Sequence, residues 1–197
     1  MADNIFPIFD KSLSTNEKER TLNQNGLVIW MVGLSGSGKS TLATGMENRL
    51  HQNKFHTMLL DGDNLRSGIN SNLGFSEEDR IENIRRAAEI SKLFALNGTV
   101  TICSLISPTD EIRKMAAEII GEKYCEVFIN CPIEVCEARD VKGLYAKARK
   151  GEIKNFTGID SPFEIPRNPD IDVKTGEMHL EDSLDYLYNS IINKIKR

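Results

Sequence analysis

The run Gly33-Leu34-Ser35-Gly36-Ser37-Gly38-Lys39-Ser40 fits the pattern G-x-x-x-x-G-K-[ST]. That spacing suits a loop that wraps a polyphosphate. Its glycines let the backbone curl until successive N–H groups point inward at phosphate oxygens. A helix starting near Lys39 adds the positive end of its dipole. Lys39 reaches the β- and γ-phosphates as a point charge, and Ser40 offers a hydroxyl to Mg2+. Thr41 is a further candidate for contact with the α-phosphate. A glycine-rich helix start without a ligand would have the same composition. The apolar stretch before the run and the helical pattern after it favour the phosphate reading.

A second cluster is Asp61-Gly62-Asp63-Asn64. Asp-Gly is a common turn, so alone this string says little. Placed at a strand end beside a phosphate loop, its two carboxylates have work to do. One can hold Mg2+ through water, and the other can take the proton from an attacking hydroxyl. The reading assigns Asp63 as base and Asp61 to the metal side, though either order satisfies the chemistry.

These residues need a scaffold, and the hydrophobic pattern supplies one. Leu27–Val32 is a continuous apolar run, as expected of a strand buried on both faces. Lys39–Gln52 reads as a helix and His56–Leu60 as a strand ending at Asp61. Asn64–Ser71 reads as a short helix. Ser76–Asn97 is the clearest helix, with Ser76 and Asp79 as a capping box and Gly98 as its stop. Thr99–Leu105, Tyr124–Asn130 and Ile171–Lys174 read as strands. Asp110–Ile120, Ile133–Arg139 and Leu180–Ile195 read as helices. Strands alternating with helices predict an α/β, three-layer P-loop NTPase fold: a mostly parallel five-stranded sheet, helices on both faces and a basic lid. Residues 1–25 form an N-terminal arm and 26–197 the kinase domain, with the lid at about 140–166. Ligands of such sheets bind beyond the carboxyl ends of the strands.

Bulk properties exclude several classes. The chain has 197 residues and a net charge of −4, which speaks against a nucleic acid polymer as partner. An anionic ligand therefore needs a local basic site. Cys103, Cys125, Cys131 and Cys136 lack metal-ligand spacing and read as buried thiols in a reducing compartment. His51, His56 and His179 are scattered. No secretory leader or membrane-spanning run is expected, which makes the cytoplasm the default location. The guanine-reading N-K-x-D is missing, since Asn53-Lys54 and Asn193-Lys194 lack the Asp. Motor and transporter ATPases need a longer chain. A kinase of small molecules fits.

The motifs taken together resemble the adenylylsulfate kinase family. The strings are GLSGSGKST at Gly33–Thr41, DGDNLR at Asp61–Arg66, LGFSEEDRIENIRR at Leu73–Arg86, ISP at Ile106–Pro108, and KGLYAKARKGEIKNFTGIDSPFEIP at Lys142–Pro166. The last is the most specific, and the likeness runs from about residue 20 to the C-terminus. The resemblance implies transfer of the γ-phosphoryl group of ATP to the 3′-hydroxyl of adenosine 5′-phosphosulfate in sulfate assimilation. It also implies Mg2+ as cofactor and a homodimer. It places Arg66 and Arg80 on the acceptor's anionic groups, Asn83 in hydrogen-bond reach, and Ile106 and Ile159 in the acceptor pocket. Phe75 and Phe156 match an aromatic pair that clamps the acceptor's adenine, a use that suits any base. Arg139 matches a residue that stacks on the adenine of ATP. Ser107 matches a serine assigned as a phosphoserine intermediate, although direct in-line transfer is the simpler chemistry.

Asp140–Pro166 carries Lys142, Lys147, Arg149, Lys150 and Lys154. Such a run is often just a solvated basic face. In an otherwise acidic chain the local excess points to a lid that closes over nucleotides. The resemblance selects Lys142 and Lys154 as ligand contacts. Two departures stand out: Thr109-Asp110 follows ISP where Tyr-Arg is expected, and Val141 precedes Lys142 where Pro is expected. Arg113 is a candidate replacement for the missing anion contact. Two other readings stay open, a kinase for another small hydroxyl compound and a regulatory nucleotide binder without turnover. A sugar acceptor has no use for the aromatic pair, and intact Lys39, Ser40, Asp61 and Asp63 speak against the second.

Overall fold

Strand Leu27–Val32 (β1) is buried at every position, so it lies inside the sheet rather than at its edge. The computed structural model describes residues 4–197, so the first three residues of the expected arm lie outside it. Thr57–Asp61 (β2), Val100–Ser104 (β3), Tyr124–Ile129 (β4) and Ile171–Val173 (β5) complete the sheet. Its order is β2-β3-β1-β4-β5, and every pairing is parallel. Alternate β1 side chains feed two cores. Leu27, Ile29 and Met31 pack with Leu42, Met46, Leu184 and Ile191 on one face. Val28, Trp30 and Val32 pack with Ile84, Ala88, Ile112 and Ala116 on the other. Each fully buried aliphatic chain contributes about 1.5–3 kcal/mol, so β1 is the most firmly anchored support available to a loop.

The helices follow in the expected sequence. Thr15–Leu22 (α1) opens with a Ser14–Glu17 capping box. Lys39–Gln52 (α2), Asp110–Ile120 (α5), Ile133–Arg139 (α6) and Leu180–Ile195 (α8) have the bounds read from the sequence. Gly62–Ser67 (α3) starts and ends earlier than expected, because the Asp61 side chain accepts from the Asp63 N–H and serves as N-cap. Glu77–Leu96 (α4) carries half of the expected box. Ser76 Oγ accepts from Asp79 N at 3.1 Å, but the short Asp79 side chain takes the Gly74 N–H at 2.9 Å instead. Leu144–Arg149 (α7) is a helix inside the lid that the basic composition concealed.

Register levels the functional ends of the strands. Asp61 pairs with Ser104, and Ser104 with Met31, two residues before Gly33. The opposite end of the sheet gathers α1, the segment that follows it and the last residues of the C-terminal helix. Asn25 N donates to Ile195 O at 2.8 Å. The buried Glu19 carboxylate accepts from Gly26 N, Lys123 Nζ and Arg197 Nη1. Gln24 bridges the starts of β2 and β3 through the His56 and Gly98 carbonyls.

Candidate active site

The phosphate loop between β1 and α2 is held by its carbonyls. Lys39 Nζ donates to Gly33 O at 2.9 Å and Leu34 O at 2.7 Å. Tyr145 Oη donates to Ser35 O at 3.0 Å, Arg139 Nη1 to Gly36 O at 3.4 Å, and Thr175 Oγ1 to Ser37 O at 2.7 Å. Five consecutive carbonyls are thus engaged; Gly33 N and Ser37 N donate to Ile106 O and Leu34 O, and the loop N–H groups between them are left for an anion. Gly36 (φ +75°) and Gly38 (φ +102°) supply the left-handed turns this path needs. A side chain at Gly36 would also put a Cβ 2.8 Å from Cys136 O. Burial pushes the Lys39 ammonium down to about 8, against the raising influence of Cys136 and Asp61. Thr41 is exposed on the first turn of α2.

Ser40 Oγ donates to Asp61 Oδ2 at 2.9 Å and lies 3.3 Å from Ser104 Oγ. A hydroxyl and a carboxylate at the foot of the loop are the hard oxygen donors that Mg2+ takes, with water and phosphate completing its shell. Among the described residues no cluster of three or more acidic, His or Cys side chains could hold a metal by itself. Asp63 stands further out. Its Oδ2 accepts from Lys142 Nζ of the lid at 2.5 Å, and both side chains are exposed. That bond comes first among the influences that raise the Lys142 pKa.

Arg80 joins two distant segments. Its Nε donates to Phe75 O at 3.1 Å, its Nη1 to Thr157 Oγ1 at 2.7 Å, and its Nη2 to Asn155 O. The two aromatic residues singled out in the sequence, Phe75 and Phe156, therefore lie in segments tied by one guanidinium. Arg66 Nη1 donates to Gly74 O at 2.6 Å, and its guanidinium stacks 4.6 Å from the Phe75 ring centroid. The Phe75 ring itself is exposed, as a surface awaiting a flat ligand would be. Asn83 is buried and accepts from Asn70 Nδ2 at 3.0 Å. Ile106 offers its carbonyl to Gly33 N. Ile159 lines a cavity of about 550 Å3 with Leu34, Ile133 and Gly158. Lys154 is exposed beside Asn155.

Two sequence assignments look different in three dimensions. Arg113 is 3% exposed; its Nη1 donates to Ser107 O at 3.1 Å, and it pairs with Asp110 and Glu126. A guanidinium buried in that way cannot replace the missing anion contact; it supports the loop after β3. Ser107 is also buried, and its Oγ accepts from Trp30 Nε1 at 3.0 Å. An indole N–H is no base, so this bond does not activate the hydroxyl. Arg139, read as an adenine contact, also braces Thr175 O at 2.7 Å.

Tyr145 and Thr175 escaped the sequence reading. Tyr145 lies in the middle of the KGLYAKAR string and was passed over for its basic neighbours. Thr175 follows the shortest strand and carries no motif.

A family model described as adenylylsulphate kinase matches residues 25–174. The chain belongs to the adenylylsulphate kinase family. The adenylyl-sulfate kinase of Bacteroides thetaiotaomicron is 54% identical over 196 residues, covering 99% of this chain and 98% of the relative. That of Clostridium kluyveri is 57% identical over 158 residues, covering 80% and 79%. Among solved structures, the Mycobacterium tuberculosis APS kinase in complex with AMPPNP and APS superposes with a TM-score of 0.82. It is 42% identical and covers 85% of this chain and 98% of that one. The matched span contains every site residue named above except Thr175.

Proposed function

We propose that this cleft transfers the γ-phosphoryl group of ATP to the 3′-hydroxyl of adenosine 5′-phosphosulfate, with Asp63 as the proton acceptor. The Arg80 bridge carries the reading, because it ties the Phe75 and Phe156 segments together in the same cleft as the phosphate loop and Asp63.

The triphosphate lies along the loop N–H groups, and its oxygens replace the Gly33 and Leu34 carbonyls as partners of Lys39. Contact with those anions favours the charged ammonium that burial disfavours. Ser40 and Asp61 would hold Mg2+, which when bound would supply positive charge to offset that of the phosphates. The acceptor's adenine stacks between Phe75 and Phe156. Arg66 and Lys154 lie at its anionic end, and Arg80 keeps the two aromatic segments in register. Asp63 takes the 3′-hydroxyl proton as that oxygen bonds to the γ-phosphorus. The bond to the β–γ bridging oxygen breaks, and ADP leaves. Lys142, donating to Asp63 Oδ2, holds that carboxylate in place until the acceptor arrives. Direct transfer needs no covalent step at Ser107.

Release of ADP measured with and without adenosine 5′-phosphosulfate tests the assignment. Acceptor-dependent release is expected; hydrolysis indifferent to the acceptor, or preference for another hydroxyl compound, rejects it. A homodimer belongs to the same reading, supported by the exposed Ile5, Phe6, Ile8 and Phe9 of the arm. Light scattering that reports a monomer at working concentration would remove it. No described helix is long and apolar enough to cross a membrane.

A further inference from the structure

Of the three donors that hold the phosphate loop from outside, only Tyr145 belongs to the lid helix α7. Arg139 ends α6, and Thr175 follows β5. Tyr145 is 1% exposed, so its position is set by packing rather than by solvent. Leu34, Cys131 and Cys136 surround it. The Asp140 carboxylate caps the first turn of α7, accepting from Tyr145 N and Ala146 N at 3.0 Å each. The ring meets Phe156 edge-on, with centroids 5.0 Å apart and planes at 77°. One side chain therefore ends on Ser35 O, in the cradle for ATP, and rests its flank on Phe156, half of the acceptor clamp. Three residues earlier the same segment sends Lys142 to Asp63.

We infer that Tyr145 is a positioning residue that couples the two nucleotide sites, its hydroxyl fixing the phosphate loop and its ring backing the acceptor clamp. The inference deepens the proposed function and rests on it. Burial raises the phenol's pKa, so the group remains an O–H donor across the working pH range. A donor from the lid onto the loop means that lid placement is felt at the γ-phosphate. An aromatic edge on Phe156 means that a base stacked there is felt by the lid. Such coupling belongs in turnover, because it sets the distance between the attacking hydroxyl and the phosphorus.

Two substitutions separate the two halves of the residue. Tyr145→Phe keeps the ring and removes the hydroxyl. It is expected to lower kcat about tenfold, the upper range for one lost hydrogen bond, and to leave the acceptor KM within about twofold. Tyr145→Leu removes both contacts and is expected to raise the acceptor KM about tenfold as well, as loss of an aromatic pair would. A residue that merely fills the core gives the opposite split, with Tyr145→Phe equal to the wild type. Wild-type turnover with an unchanged Tyr145→Phe variant overturns the inference alone. A wild type without acceptor-dependent ADP release overturns the functional reading and this inference with it. If Tyr145→Leu fails to fold, Tyr145→Phe still decides the matter through its kcat and KM.

Discussion

The phosphate loop hangs from β1, whose six residues are all buried, whereas the lid presents the exposed Lys147 and Arg149 on a six-residue helix. The loop is braced through main-chain carbonyls by the buried Lys39, Tyr145 and Thr175 and by the exposed Arg139. The lid meets the carboxylate side through Lys142 and Asp63, an exposed pair of a kind worth about 0–1 kcal/mol. The contrast shows where each property resides. The path of the phosphate loop is set when the chain folds, with Lys39 held on the Gly33 and Leu34 carbonyls. The basic segment is held on the carboxylate side by that exposed pair, and elsewhere by the buried Tyr145 and by Arg80. Phe75 and Arg66 on the near side are ordered by Asp79 and Gly74, and Arg80 fastens them to Asn155 and Thr157.

Substitutions on either side can break that contrast. The largest effect is expected from Asp63→Ala, which should lower kcat about 10²–10⁴-fold and leave ATP affinity nearly intact. Calorimetry with ATP beside a steady-state assay checks this, and an ordinary turnover number would strip Asp63 of the base role. Phe156→Ala comes next, with acceptor binding weaker by about 1–3 kcal/mol and ATP binding little changed. Equal loss for both nucleotides would make Phe156 a shared support of both sites rather than half of an acceptor clamp.

The smallest effect is one of pH. Lys39 titrates near 8 in the folded chain against an ordinary 10.5, so the folded state binds fewer protons between those values. Stability from this group should therefore rise with pH across that window. ATP affinity should move the other way, falling about tenfold from pH 7 to 9 as the free ammonium loses its charge. Titration calorimetry at several pH values reads the slope, and Lys39→Met should flatten it.

Much of this was legible beforehand because the anchored half is written in local pattern. The six-residue apolar run and the glycine spacing place β1, the loop and α2 without any long-range information. The carboxylate pair was visible too, but Asp61 reads as a turn residue until its cap on Asp63 N is seen. The lid resisted for a physical reason. Helix α7 is mostly exposed and basic, and only Tyr145 and Ala148 are buried, too few to give a helical stripe. The roles of Arg80 and Arg113 depend on partners far away in sequence or hidden by burial. A guanidinium looks the same in a string of letters whether it awaits an anion or holds two segments together.

The bond from Arg197 to Glu19 of α1 holds the end of α8 at the pole of the sheet opposite the phosphate loop. A tag or a second enzyme joined after Arg197 would therefore be attached remote from the cleft, and the fusion should turn over as the untagged chain does.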